Sequence, residues 1–164
     1  LLQAAIHHFD YLRWVLGQDA TAVWADCWNA PWTVGEGKRS VHVNIEMSGG
    51  CRVSYRGLAT AMKETNWTCD WCIEGEKGLL TVVNDRVFFN DSEISVGWED
   101  GTDISDLNLG ALNKVILEKF VRYLEQDEEP GFSGKNNLNS LEMVFGAIHS
   151  FGTGQKHIIG QPIT

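Results

Sequence analysis

Several features that mark other protein classes are missing from this sequence of 164 residues. It has no cluster of Lys and Arg, and its formal charge is −9, which argues against nucleic acid because phosphate contacts depend on basic residues. Its longest apolar runs, such as residues 78–83, fall far short of the roughly 20 residues that cross a bilayer. We therefore expect no nucleic acid partner, no membrane partner and a cytoplasmic location.

Cysteine is also scarce, with four residues in the chain, too few for a disulfide scaffold in a domain of this size. Cys69 and Cys72 have the CxxC spacing, but a zinc site needs two more ligands at suitable spacing. On a strand, residues three apart also point to opposite faces. We interpret the cysteines as reduced thiols and expect no bound metal.

The glycine-rich loop that binds dinucleotides is absent as well. Gly35 and Gly37 are followed by Lys-Arg-Ser, without a third glycine and without a helix. The phosphate-binding loop therefore has no counterpart here, and we expect this chain alone to bind no dinucleotide.

The periodicity that is present predicts an α+β fold. Apolar residues recur at helical spacing over residues 3–16, 109–123 and 133–151, with Gly17 and Gly152 as expected helix ends and Ser133 as an expected N-cap. Between the helices, alternating segments joined by short turns predict antiparallel strands, because a parallel pair needs a long crossover. These segments are residues 22–28, 41–47, 51–56, 67–73, 79–83, 86–89 and 93–98. We predict one domain spanning residues 1–164, with an open, largely antiparallel sheet and helices packed on one of its faces.

The first helix carries a polar face. Gln3, His7 and Asp10 are three or four residues apart and can project together, while apolar residues cover much of the other side. His8 points about 100° away from His7 by helix geometry, so we expect it at the surface or at an interface.

These residues resemble a motif of the Gfo/Idh/MocA oxidoreductases, the family of glucose–fructose oxidoreductase and inositol dehydrogenase. The first helix of that family's C-terminal domain carries Asp-x-Gly-x-His-x-x-Asp; His7 and Asp10 fall on its last two defined positions, and Gln3 on the first Asp. The likeness continues through residues 73–80, 133–140 and 147–154. The resemblance implies the C-terminal substrate-binding and oligomerisation domain of an NAD(P)-dependent oxidoreductase that acts on a sugar, polyol or related alcohol.

The resemblance also implies residue roles and a partner. The family uses this His as an acid–base group, together with a Lys from its nucleotide-binding domain, and Gln3 can hydrogen-bond His7 without supplying charge. NAD or NADP would be held by an N-terminal nucleotide-binding domain that this chain lacks. Because the sequence starts at Leu1 without Met, we expect it to be part of a longer protein.

Other residues are assigned with an alternative beside each. Asp10 is expected either to contact substrate or support His7, or to serve as a structural hydrogen-bond acceptor. Tyr55, Arg56 and Trp67 are candidate substrate contacts, since aromatic rings and fixed donors suit polyols, but core or interface packing explains them equally well.

Two expectations concern the chain as a whole. Alternation places Trp24 and Trp28 on the sheet face opposite the helices, which predicts a homo-oligomer formed through that face. The rival interpretation is a non-catalytic binding or assembly module, because Gln3 stands where the family has Asp.

Overall fold

The computed structural model describes residues 3–63, 66–95 and 109–163. The chain divides into two compact units, of which the first combines Leu1–Lys63 with Phe132–Thr164 and the second is Glu64–Gly131. In chain order the elements are α1 (Ala5–Leu16), β1 (Ala20–Trp28), β2 (Ser40–Met47), β3 (Arg52–Leu58), β4 (Trp71–Gly75), β5 (Gly78–Val83), β6 (Arg86–Phe89), β7 (Ser92–Ile94), α2 (Leu109–Gln126), α3 (Gly134–Thr153) and β8 (His157–Ile158).

The first unit is built on a four-stranded sheet in the order β3-β2-β1-β8, with every pair antiparallel. One face of this sheet packs against α3, which in turn packs against α1. The register places Val23 opposite Ile45 and Ala25 opposite Val43, and all four side chains are buried. Phe9 of α1 is fully buried in the core, a contribution of about 1.5–3 kcal/mol from apolar burial.

The second unit contains α2 and a four-stranded antiparallel meander in the order β4-β5-β6-β7. Its strands are joined by tight turns, and Asn84 and Asp85 both adopt the left-handed region, with φ of 52° and 61°. Positive φ at both central residues is the geometry of a type I′ hairpin turn, which Asn and Asp tolerate better than most residues. These two residues therefore join β5 to β6 in a tight turn.

The predicted α+β class with open, antiparallel strands is confirmed, and the strands divide into two sheets where the sequence suggested one. Gly17 ends α1 in the left-handed region at φ 61°, and the Oγ of Ser133 accepts from the amide of Asn136 at 3.1 Å, as expected for the two caps. No helix in the described part of the chain has the length and apolarity that spanning a membrane requires.

Several boundaries differ from the sequence expectation. α1 begins at Ala5, so Gln3 lies in a turn ahead of the helix. The end of α3 predicted at Gly152 is wrong, because the helix continues to Thr153 and Gly154 caps it at φ 69°. The strand expected from residue 67 starts at Trp71, since Cys69 has a φ of 65° that a strand does not accommodate. The last strand predicted, residues 93–98, extends beyond the described residues, which show β7 over Ser92–Ile94.

Candidate functional site

The predicted acid–base residue lies on the surface of the first unit. His7 is in the first turn of α1, where its backbone amide donates to the carbonyl of Ala4 at 3.1 Å, and its side chain is exposed. The side chain of Gln3 is also exposed. Both residues are therefore accessible to a small molecule from outside the first unit.

Gln3 lines an open pocket of about 360 Å³. The other walls come from the end of β1, the start of β2 and the C-terminal half of α3, so three elements meet the turn that precedes α1. The lining residues are Gln3, Cys27, Lys38, Arg39, Ser40, Val41, Ile148 and Phe151. The pocket thus combines an apolar wall with two cationic side chains.

Burial sets the protonation state of the cysteine in this pocket. The Cys27 side chain is buried, and this desolvation raises the pKa of its thiol. At neutral pH the thiol is therefore uncharged. Lys38 and Arg39 form no ion pair with any residue that the structure describes.

His8 and Tyr55 form a contact that the sequence did not indicate. The Nδ1 of His8 lies 2.9 Å from the hydroxyl of Tyr55, and the ring of Tyr55 packs edge-on against Phe9 at a centroid distance of 5.3 Å. A Cβ at Gly57 would come within 3.0 Å of the Tyr55 hydroxyl, so the absence of a side chain there makes room for the phenol. His8, expected at the surface or at an interface, is instead half-buried against β3.

Tyr55 and Arg56, two of the other candidate substrate contacts, point to opposite faces of the first sheet. Tyr55 faces the helices, whereas Arg56, the next residue on β3, is exposed on the opposite face beside His42. Trp67 belongs to the second unit, where it lies in a turn and is 59% exposed.

Asp10 is held within a network that sequence reasoning missed. Its Oδ1 accepts from the Oγ of Ser140 at 2.7 Å and from Nη1 of Arg13 at 3.3 Å. Arg13 is 8% exposed and also reaches Asp19, whose Oδ1 is 2.7 Å from Nε. A signal was present in the sequence, because Arg13 lies four residues after Phe9 and therefore on the buried face of α1.

The described part of the chain contains no group of three or more His, Cys, Asp or Glu side chains placed to hold a metal ion. The four cysteines, Cys27, Cys51, Cys69 and Cys72, are free thiols.

Comparison with known proteins identifies the fold. No family model matches the chain. An uncharacterized protein, y4oX, of Sinorhizobium fredii is 24% identical over 94% of this chain, which spans 45% of that relative's length.

Solved structures match nearly the whole chain. An oxidoreductase of Agrobacterium radiobacter, in complex with NAD+, L-tartaric acid and magnesium, superimposes with a TM-score of 0.73 at 18% identity and covers 95% of this chain. Levoglucosan dehydrogenase with NADH and L-sorbose gives 0.76 at 14% identity over 98% of this chain, and the WlbA dehydrogenase of Bordetella pertussis with NADH and UDP-GlcNAcA gives 0.67 at 18% over 96%. In these three proteins the match covers 48%, 50% and 44% of the neighbour.

The chain has the fold of one half of these oxidoreductases. This likeness confirms, at the level of the fold, the resemblance to a Gfo/Idh/MocA C-terminal domain. Within the first unit, the pocket beside Gln3 and the exposed His7 form the candidate site.

Proposed function

We propose that residues 1–164 form one C-terminal substrate-binding and oligomerisation domain of an NAD(P)-dependent oxidoreductase of the Gfo/Idh/MocA family. The observation that carries this proposal is the match of almost the whole chain to one half of NAD(H)-bound oxidoreductases. In this proposal the remaining half of the protein is an N-terminal nucleotide-binding domain, and that domain is the partner of residues 1–164.

A sugar, polyol or related alcohol is the proposed substrate class. The neighbours with bound small molecules include complexes with L-tartaric acid, L-sorbose and UDP-GlcNAcA. These molecules support a hydroxyl-bearing substrate.

His7 is the proposed acid–base group. A hydroxyl gives up hydride readily only as its proton leaves, and an imidazole titrates close enough to neutrality to accept that proton. NAD or NADP, bound by the missing half, would supply the hydride acceptor. The exposure of His7 in the first unit leaves it accessible to a substrate placed between the two halves.

The two residues flanking His7 in the motif have different parts in this proposal. Gln3 offers a hydrogen bond without charge. Because Asp10 accepts hydrogen bonds from Ser140 and Arg13, the role of structural acceptor is favoured over that of a substrate contact or a carboxylate partner for His7.

Kinetics of the full-length protein test the proposal. Replacing His7 with Ala should lower kcat by about a hundredfold or more, the range for losing a positioned acid–base group. Gln3→Asp should raise activity or leave it unchanged. His42→Ala, on the opposite sheet face and hydrogen-bonded to Ser54, is the matched control and should keep kcat.

Wild-type kcat in the His7→Ala variant would make His7 structural and favour the second candidate, a non-catalytic binding module. Gln3 in place of the family's Asp is the observation that favours this alternative. A Lys-Pro motif encoded upstream, where the family's catalytic Lys lies, supports the enzyme, and its absence supports the module.

A further inference from the structure

The pocket beside Gln3 concentrates positive charge in a protein whose formal charge is −9. Lys38 and Arg39 both line it, and neither is paired with an acidic side chain among residues 3–63, 66–95 and 109–163. The remaining ionisable group in the lining, Cys27, is buried and uncharged at neutral pH. The pocket lining therefore carries a positive charge that nothing within it offsets.

Acidic residues near this pocket do not line it. Asp26 precedes Cys27 on β1 and so points to the opposite face of the sheet, where its register partner is His42. Glu36 lies in the loop before β2 and is exposed. A cleft lined by one sign of charge raises the local concentration of the opposite ion, so the lining attracts anions.

The backbone that carries the two cations is fixed by Asn29. The side chain of Asn29 accepts from the amide of Arg39 at 2.8 Å and donates to the carbonyl of Gly37 at 2.9 Å. The carbonyl of Arg39 accepts from the amide of Ala59 at 2.9 Å, so both backbone groups of Arg39 are engaged. Such prior ordering lowers the entropic cost of binding.

Gly35 leaves space for the guanidinium group. A Cβ at this glycine, whose φ is 97°, would lie 2.7 Å from Nη2 of Arg39. The loop therefore packs closely beneath the Arg39 side chain, which a larger residue at position 35 would displace.

The pocket is also lined by three apolar side chains, Val41, Ile148 and Phe151. A lining with both apolar and cationic side chains suits a ligand with a carbon chain and an ionised end, and the volume of about 360 Å³ is within the range of small-molecule sites.

We propose that this pocket binds the anionic group of an acidic sugar or polyol, with Lys38 and Arg39 as its cationic ligands. That the bound sugar or polyol is the substrate rests on the proposed function, whereas the anion site itself depends only on the residues described above. Carboxylate and phosphate share the required chemistry, because Lys binds either as a point charge and Arg binds either through its planar fork.

Three probes with the same six-carbon chain test the proposal. Calorimetric titration of the full-length protein, without coenzyme, compares neutral D-sorbitol with D-gluconate and with D-sorbitol 6-phosphate. We expect at least one anion to bind tenfold or more tightly than sorbitol, and the two anions separate a carboxylate site from a phosphate site.

Two double variants then locate the binding. Lys38→Gln with Arg39→Gln should reduce the affinity for the preferred anion to that for sorbitol. The control, Lys77→Gln with Arg122→Gln, makes the same charge change in the second unit and should leave the affinity unchanged. A thermal melt of each variant verifies folding, and Lys38→Gln alone, with an expected loss of at least threefold, replaces the first pair if that pair unfolds.

Equal binding of all three probes, no anion binding at millimolar concentration, or an equal loss in both double variants would each overturn the site. Failure of the proposed oxidoreductase function has a different signature, namely absence of NAD(P) binding and turnover. A full-length protein that binds gluconate through Lys38 and Arg39 but no coenzyme would retain the anion site and lose the oxidoreductase assignment.

Discussion

Nη1 of Arg13 lies 2.9 Å from the Oγ of Ser140, which joins α1 to α3 across 127 positions of sequence. The same nitrogen is 3.0 Å from Oδ1 of Asn136, and the guanidinium contacts the carboxylates of Asp10 and Asp19. A charged group that is 8% exposed needs such partners, because desolvation without them costs several kcal/mol. The network therefore fixes α1, which carries His7, against the core of the first unit.

Replacing Arg13 with Met should lower the free energy of unfolding by about 1–3 kcal/mol, since buried hydrogen-bonding groups lose their partner. The free energy of unfolding of Arg13→Lys should lie between those of the wild type and Arg13→Met, because an ammonium carries the charge but cannot reproduce the planar fork of the guanidinium. The control is Arg52→Met, whose partner Glu46 forms an exposed ion pair of the kind that contributes at most about 1 kcal/mol. Urea denaturation compares the three, and equal losses for Arg13→Met and Arg52→Met would show that the network adds no stability.

Two glycines of α3 should respond oppositely to substitution by Ala. At Gly146 a Cβ would lie 2.5 Å from Cδ2 of His157 and 3.1 Å from Cγ2 of Val23, both of which are buried. Overpacking of this kind costs about 1–3 kcal/mol, which exceeds the helix-propensity gain of about 1 kcal/mol. At Gly152 nothing lies within 4 Å, so the propensity gain remains. We expect Gly146→Ala to lower the melting temperature and Gly152→Ala to hold or raise it; a rise in both would mean that α3 can shift away from β8.

Features set by local chemistry could be predicted from the sequence, and features set by distant contacts could not. Gly17 and Ser133 act as helix caps through bonds to residues at most four positions away, so their signals are complete within a short window. The burial of Arg13 depends on Ser140, and the strand containing His157 has two residues and pairs with β1 from more than 130 positions away. Neither short-range spacing nor alternation carries that information.

The candidate site also combines a feature that local sequence predicts with one that depends on distant residues. The position of His7 on the first helix followed from spacing and from a family motif. The pocket beside Gln3 brings together residues from four separate parts of the chain, and Lys38 and Arg39 have no local pattern that marks them as its lining.

The open face of the first sheet is the proposed surface for homo-oligomer formation. The register puts Trp24 beside Asn44 and Ser54 on this face, so it is more polar than alternation of the tryptophans alone suggested. Trp24 is 39% exposed. We expect light scattering to give at least a dimeric mass and Trp24→Ser to weaken the association, because burial contributes about 25 cal/mol per Å² of apolar area. Trp14→Ser on α1, where the ring is 83% exposed, is the control, and a monomeric wild type at high micromolar concentration would contradict the interface.

His157 should make the first unit sensitive to mild acid. Its side chain is 4% exposed, and within the described residues its Nε2 has no hydrogen-bond partner. The His149 ring of α3 lies 5.2 Å away, Glu142 of the same helix also faces it, and Val23 is its register partner on β1. Burial, followed by the neighbouring His149, lowers the pKa of His157 below its ordinary value of 6.5, and Glu142 opposes this only in part.

Because the pKa of His157 is lowered in the folded state, the unfolded chain binds a proton below about pH 6.5 that the folded protein does not bind. The free energy of unfolding is therefore at its full value above this pH and falls as the pH drops toward the folded pKa. The pKa values of Glu46 and Glu93 are lowered from 4.5 by hydrogen bonds to Lys156 and to Arg86, and their stabilising effect is lost only at more acidic pH. The comparison of wild type with His157→Gln therefore reports on His157 within the interval between pH 6.5 and 5. Urea titrations across this pH interval should show that the free energy of unfolding falls as the pH drops. His157→Gln should flatten this dependence, and the control His42→Gln, on the open face, should keep it.

Faster hydrogen exchange at the Ile159 amide, which donates to the carbonyl of Thr21 at 3.0 Å, should accompany the loss of stability if β8 detaches first. An identical pH slope in wild type and His157→Gln would show that this imidazole is protonated without cost.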